Sequence, residues 1–276
     1  MKKLSVVITT RNESANIANC IRAFDDFREE VEILVVDNRS EDDTKDLASA
    51  LGAKVFDKGP ERSAQRNLGW REARADWVIV LDADMILPKE TIEEILSKIH
   101  HSSPVVRPSP APQAYWIPEV RTGTGFRVKA RNFERSFYDG TCIDALRLFR
   151  KSVLEATGGY DENLIAGPED WELDIRVLAT GARCEVLRHH LIHNEKRLSL
   201  KRMLEKKAYY SKSMAAYQAK WKGHPALAKQ FGIGYRFFGV FVEHGKWKRL
   251  LRHPVLAVGM YFERFLVGVT YLLNRK

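Results

Sequence analysis

Asp82 and Asp84 stand one residue apart at the end of an apolar run, Val78-Ile79-Val80-Leu81. Paired hard oxygen donors suit Mg²⁺ or Mn²⁺, with a substrate pyrophosphate completing the shell. If the run is a strand that continues through both residues, alternation puts the two carboxylates on one side. The plain alternative is an acidic turn after a strand, which needs no ligand. A second acid pair, Glu169-Asp170, precedes Trp171–Ala179, where Leu173, Val177 and Leu178 predict a helix. Acids in a first helical turn complement the helix dipole, so this pair too has a structural explanation. His189, His190 and His193 cluster further on, and imidazole is an acceptable Mn²⁺ ligand beside a carboxylate. There is no GxGxxG or GxxxxGK[ST] loop, and Gly123-Thr124-Gly125 is a lone glycine pair. Cys20, Cys142 and Cys184 lie far apart without a CxxC pair. That argues against a disulfide framework or a Cys-rich zinc site and fits a reducing compartment.

The first hundred residues alternate apolar runs with helical patterns. Strands are predicted at Leu4–Thr9, Glu32–Val36, Lys54–Asp57 and Trp77–Leu81. Helices are predicted at Ser14–Phe24, with Ser14 or Asn12 as cap, and at Asp42–Leu51, Glu61–Arg74 and Thr91–His101. Such alternation implies βαβ units and a largely parallel sheet, which binds ligands outside the carboxyl ends of its strands. Polar clusters do follow the strands: Thr10–Glu13, Asp37–Ser40 and Asp82–Asp84. Ser102–Pro118 contains five prolines and reads as a loop or edge connection. Ala130–Phe137 and Ile143–Phe149 carry weaker patterns. Ser152–Thr157 reads as a short helix ended by Gly158-Gly159, and Arg183–Arg188 as a final strand.

The motifs arrive in a recognisable order. Ser5–Glu13 (SVVITTRNE), Ile33–Thr44 (ILVVDNRSEDDT), Arg66-Asn67-Leu68-Gly69, Asp82-Ala83-Asp84, Gly158-Gly159-Tyr160-Asp161-Glu162 and Gly167-Pro168-Glu169-Asp170-Trp171-Glu172-Leu173 resemble those of family 2 glycosyltransferases with a GT-A fold. The resemblance covers about residues 4–195. It implies a GT-A, Rossmann-like α/β catalytic domain over 1–195, with a mixed, mostly parallel sheet flanked by helices; the charge and helical pattern of residues 196–276 predict a basic helical extension beyond it. It implies an inverting, metal-dependent hexosyltransferase using a nucleoside diphosphate sugar, UDP-linked by preference. Asp37 would accept a hydrogen bond from the base, and Thr10, Arg11 and Glu13 would line the same edge. Many relatives carry a second Asp and a Gly where Asn38 and Arg39 stand here, and an aromatic ring where Arg11 stands, whose guanidinium can still stack on a base. Arg66 would face the diphosphate, and Arg62 reads as a solvated helix face. Asp84 would hold Mn²⁺ or Mg²⁺ with His193 as a further ligand, and Asp82 would serve the ribose or the metal. His189 and His190 read as strand-end residues. Asp170 would be the base that deprotonates the acceptor, with Glu169 a structural or acceptor contact.

Charge divides the chain. The overall formal charge is +9, but residues 196–276 hold 18 Lys/Arg against three acids, whereas residues 1–195 carry more acids than bases. A basic extension predicts an anionic partner. Trp247 among Lys246, Lys248, Arg249 and Arg252 has the composition of a membrane-interface helix. Helical stripes are predicted at Leu198–Trp221 and in Val255–Leu273, the latter interrupted by Glu263 and Arg264. Those charges disfavour a simple span. Neither a signal peptide nor an apolar stretch of spanning length is evident. The expected partners are the donor, a glycan or polyprenyl-phosphate-linked acceptor, and the inner face of the cell membrane, reached from the cytoplasm. The alternative is that the extension packs on the catalytic domain or on a second copy in a homo-oligomer. Two rival activities fit less well. A nucleotidyltransferase of the same fold would need a basic, Gly-rich first loop, which Thr9–Glu13 lacks. A non-catalytic nucleic-acid-binding protein would suit the pI, but no nucleic-acid motif is recognisable, and the mixed Arg and aromatic residues of Arg121–Arg150 are diluted by acids.

Overall fold

Three runs rich in β-branched and apolar residues build the centre of the molecule: Leu4–Thr10 (β1), Val31–Asp37 (β2) and Trp77–Asp82 (β4). Every residue of the first two is buried, as expected of strands covered on both faces. A computed structural model describes residues 2–100, 111–164, 167–194 and 213–273. β3 (Lys54–Asp57), β6 (Ala114–Trp116), β8 (Leu146–Arg150) and β9 (Cys184–Val186) complete a seven-stranded sheet of order β3-β2-β1-β4-β8-β6-β9. β1 pairs in parallel with β2 and β4, and β2 with β3. β8 runs antiparallel to β4 and β6, and β9 is parallel to β6. This is the mixed, mostly parallel sheet that the sequence predicts.

Alternation sorts the strand residues onto two cores. On one face Ile8, Ile33 and Ile79 meet α1 (Ile17–Arg22) and α4 (Lys89–His100) through Ile17, Ile21, Ile92 and Ile95. On the other, Val7, Val78 and Val80 meet α3 (Arg62–Glu72), α6 (Lys151–Thr157) and α7 (Glu169–Ala179) through Trp70, Val153, Leu154, Leu173 and Val177. α2 (Thr44–Ala50) covers the end of the first core through Ala48. Burying each such aliphatic side chain contributes about 1.5–3 kcal/mol. α3 lies so close to β1 that a Cβ on Gly69 would sit 2.2 Å from Val7 Cγ1. Gly69→Ala should therefore lower Tm by about 5 °C through overpacking, measured by thermal unfolding; an unchanged Tm would mean that Val7 can move aside.

Several expectations change. The first helix is only six residues long, and neither Ser14 nor Asn12 caps it; Asn16 occupies the N-cap without a side-chain bond. The strand after Val78 ends at Asp82. Ala83 and Asp84 form a turn before a two-residue strand, Met85–Ile86 (β5). β6 lies inside the proline-rich stretch, whose residues 102–110 fall outside the described set. β7 (Glu119–Arg121) and β10 (Leu191–His193) join β5 in a small sheet of order β5-β10-β7.

The described part of the C-terminal extension is helical and packs on the body. It comprises residues 213–220 (α8), Pro225–Phe231 (α9), a π-helical turn at Tyr235–Gly239, Val240–Val242 (α10), Trp247–Arg252 (α11) and Pro254–Leu273 (α12). Val240, Phe241 and Met260 close over Phe137 and Ile143, and Tyr217 packs with Leu164 and Ile175. α12 crosses α5 (Phe126–Arg135) at Gly259, where a Cβ would meet the Phe126 ring at 2.6 Å. Packing on the catalytic body is thus what these helices do. The stripe expected at Leu198–Trp221 lies largely outside the described residues.

Candidate active site

The parallel register brings three polar strand ends to one level. Thr10 is opposite Asp37, and Thr9 is opposite Asp82. α3 is fastened beneath them by Gln65, whose amide donates to Thr10 O at 3.0 Å and to Val36 O at 2.6 Å. Asn67, on the same helix, holds Tyr160 through its backbone N–H and carbonyl, each at 2.8 Å. Gly159 has φ +77°, and a Cβ there would lie 2.4 Å from Asn67 and Trp70, so only glycine allows this close approach. The result sets the Tyr160 ring 5.1 Å from the Arg66 guanidinium.

Arg66 is the hub of the site and is fully buried. It donates to Asp170 Oδ1 at 2.7 Å and to Asp82 Oδ1 at 3.2 Å, with Glu169 Oε1 at 3.6 Å. Arg62 adds contacts at 3.5 Å to Asp82 and 3.1 Å to Glu169. Two cations therefore hold three carboxylates drawn from β4 and the first turn of α7. Burial works against the charge on Arg66, but Asp170 and Asp82 hold its pKa well above the ordinary value. Burial also opposes ionisation of Asp82, yet Arg66 and Arg62 outweigh it and keep Asp82 far below the usual carboxylate range. Glu169 is pushed up by burial first and by Asp170 second. Its Oε2 is buried without a hydrogen-bond partner. Asp170 is the more accessible of the pair, with 17% of its side chain exposed against 1% for Glu169.

Because the chain turns at Ala83-Asp84, the two aspartates part company. This corrects the expectation that one strand presents both carboxylates to one side. Asp82 turns to the arginines and accepts a 2.9 Å bond from Thr9 Oγ1. Asp84 turns to β10, where its Oδ2 lies 3.2 Å from His193 Nε2. The β5–β10 pairing places His193 opposite Met85 and so fixes this meeting. Of the three expected metal ligands, Asp84 and His193 are thus brought together, and Asp82 stands apart; among the described residues no set of three ligating groups converges. Glu119 Oε1 holds the other imidazole nitrogen, Nδ1, at 2.8 Å. Burial alone would lower the His193 pKa, but bonds to Asp84 and Glu119 push it up to about 9. A carboxylate beside an imidazole whose far nitrogen is anchored by a second carboxylate could supply part of the donor set of a divalent cation, the other ligands coming from outside the pair. Asp84 is a hard oxygen donor of the kind that Mn²⁺ or Mg²⁺ takes, and the described residues supply two donors rather than a full set.

The remaining expected residues are distributed unevenly. Asp37 is fully buried, and both its oxygens accept from Ser40, one from the backbone N–H and one from the hydroxyl. Thr10 Oγ1 is buried without a hydrogen-bond partner beside it. Glu13 accepts from Asn16 Nδ2 at 2.6 Å and so serves its own loop, and Arg11 is exposed. His189 pairs with Glu94 at 2.9 Å, away from Asp84. Arg62, Tyr160 and Glu119 complete the site without having been singled out as members. The one-turn spacing of Arg62 and Arg66 was the available signal for the first. Arg135 and Arg147, counted within the mixed basic and aromatic stretch, face inward: Arg135 binds Asp144 at 3.0 Å, and Arg147 is 8% exposed.

The family model described as Glycosyl transferase family 2 matches residues 5–158. An uncharacterized glycosyltransferase of Rickettsia prowazekii is 42% identical over 97 residues, which are 34% of this chain and 32% of that protein. The chain thus matches about a third of the length of this curated relative. Among solved structures, S. aureus TarS in complex with UDP-GlcNAc superposes with a TM-score of 0.60 at 19% identity, covering 86% of this chain and 73% of the other. The mannosyltransferase PcManGT from Pyrobaculum calidifontis, in complex with GDP-Man and Mn²⁺, superposes with a TM-score of 0.60 at 16% identity, covering 99% and 81%.

Proposed function

The chain belongs to glycosyl transferase family 2 and has the GT-A fold, and from that premise we propose that it is an inverting, divalent-metal-dependent hexosyltransferase. It takes a sugar from a nucleoside diphosphate, by preference uridine diphosphate, and delivers it to a membrane-associated glycan acceptor of the polyprenyl-phosphate-linked kind. The observation that carries this reading is the division of the two aspartates. Asp84 meets His193 at 3.2 Å, while Asp82 is tied through Arg66 to Asp170, all at the strand ends where a donor would lie.

In this reading the donor's base lies over Asp37 and its ribose reaches Asp82. Thr10 Oγ1 is a buried hydroxyl ready for a partner from the donor, and Arg11 stacks from outside. Glu13 keeps the loop that carries Arg11 in shape. Mn²⁺ or Mg²⁺ held by Asp84 and His193 would neutralise the charge that develops on the leaving diphosphate. Arg66 fixes the Asp170 carboxylate and supplies positive charge beside the phosphates. Asp170 takes the proton of the acceptor hydroxyl as that oxygen attacks the anomeric carbon from the face opposite the diphosphate, which inverts the configuration. Glu169 anchors Arg62 and Arg66 and stays out of the proton transfer.

No helix among the described residues is long and apolar enough to cross a membrane. The proposed location is the cytoplasmic side of the cell membrane, with peripheral attachment. Release of nucleoside diphosphate from UDP-glucose, UDP-GlcNAc and GDP-mannose, with cell membranes as the acceptor source, tests the activity. The expected result is release that EDTA stops and Mn²⁺ restores; release that persists in EDTA contradicts it. Glu119→Gln should weaken Mn²⁺ binding by about 10–100-fold, measured by calorimetric titration, because the anchored imidazole loses its charged support. Unchanged affinity would remove Glu119 from the site.

A further inference from the structure

Glu263 and Arg264 interrupt the apolar run of α12, and the structure shows where those charges go. Glu263 Oε1 pairs with Arg127 at 3.0 Å. Arg264 pairs with Glu134, bonds the Tyr138 hydroxyl at 2.6 Å and the Arg236 carbonyl, and lies over Phe237 and Phe241 at 4.7 and 5.2 Å. The polar face of α12 is therefore spent on the protein, beside the buried Met260.

The opposite face is apolar and turned to solvent. Val255, Val258, Phe262 and Phe265 recur at three- and four-residue steps, and each is at least 61% exposed. α11 extends the stripe with Leu251 at 71% and Trp247 at 46%. An exposed stripe of this length marks an interaction surface. Lys248 and Arg252 flank it, both exposed, and no acid among the described residues pairs with either. Apolar side chains with an indole, rimmed by unneutralised cations, complement a lipid surface: acyl chains for the stripe and anionic headgroups for the rim. A second copy would bring the same unpaired cations against themselves.

We infer that the outer face of α11 and α12 docks in the plane of an anionic bilayer surface. The docking rests on the proposed function in one respect: it brings the strand-end site to a membrane-bound acceptor. α12 lies on α5, and α5 follows β7, whose Glu119 supports His193. The catalytic body is thus fastened directly to the docking helices.

Flotation of the full chain with vesicles of phosphatidylcholine and phosphatidylglycerol in equal parts, against phosphatidylcholine alone, tests this. The wild type should bind the anionic vesicles at least about tenfold more tightly, and less so in high salt. Val258→Asp combined with Phe262→Asp should lose about tenfold or more in vesicle affinity, because apolar burial is replaced by charge in the interface. Lys248→Glu combined with Arg252→Glu should fall to the level seen with phosphatidylcholine alone. All four positions are exposed, so Tm should not change. Wild-type protein that stays unbound with both vesicles, or variants that float like wild type, overturns the inference. So does a sedimentation shift from dimer to monomer in the Asp variant without vesicle binding, which would assign the stripe to a second copy. Flotation as expected with no stabilisation by any nucleotide sugar would sink the proposed function and leave the docking surface standing.

Discussion

Asp170→Asn is expected to lower the turnover number by about 10²–10⁴-fold while leaving donor affinity near that of the wild type. The substitution keeps the shape of the side chain and removes the ability to accept a proton. Arg66 keeps two of its carboxylate partners, Asp82 at 3.2 Å and Glu169 at 3.6 Å, so the hub remains paired. Glu169→Gln separates the base from its neighbour. Glu169 is sealed in the protein, and its Oε1 bridges Arg62 and Arg66. Its replacement should weaken the arginine network and raise KM for the donor more than it lowers the turnover number. If Glu169→Gln were the variant with the larger loss of turnover, the two roles would have to be exchanged. Nucleoside diphosphate release at saturating and limiting donor separates the two outcomes.

Asp84→Ala is expected to abolish both metal-dependent donor binding and transfer, a loss of about 10³-fold or more in kcat/KM. The change removes a carboxylate that meets His193 Nε2 and takes part in no core packing. The local fold should survive. Asn194 N–H donates to the Asp84 backbone carbonyl at 2.8 Å, a bond the substitution keeps, and Glu119 still holds His193. An unchanged Tm beside absent transfer is therefore the expected pair of observations. Asp82→Ala should behave differently. It removes the partner that holds Arg66 and Arg62 on the side away from Asp170, so it should cost stability as well as activity.

The sequence was most legible where several signals coincided. β1, β2, β3 and β4 appear within one residue of their expected bounds; for β1, β2 and β4, apolar runs rich in β-branched residues and ended by polar clusters leave little else for these segments to be. The Gly158-Gly159 stop of α6 appears as expected, with Gly158 in the left-handed region at φ +76°. Three-residue strands carry no period, and so β7, β10 and with them Glu119 went unseen. The Asp82-Ala83-Asp84 triplet stands out in the sequence, but whether the strand continues through it does not. Its first carboxylate ends a strand and its second closes the turn that follows, a difference that one intervening residue cannot signal. Arg62 read as a solvated position because helical spacing does not show that α7 brings Glu169 over it from more than a hundred residues away. In the extension, Glu263 and Arg264 were visible as interruptions of an apolar run. Their partners on α5 and in the preceding helices come only with the tertiary fold.

The central claim is that Asp84 and His193 couple a divalent ion to nucleotide-sugar binding, and thermal unfolding with UDP-, GDP- and dTDP-sugars, with and without Mn²⁺, tests it most directly because no acceptor is required. Ligand that binds only the folded state at a hundred times its dissociation constant stabilises by about 2.7 kcal/mol, which corresponds to a rise in Tm of roughly 5–10 °C. The account predicts such a rise for the wild type with a UDP-sugar and Mn²⁺ together, its retention in Asp170→Asn and its absence in Asp84→Ala. A rise of equal size without Mn²⁺, or one that survives in Asp84→Ala, would contradict it.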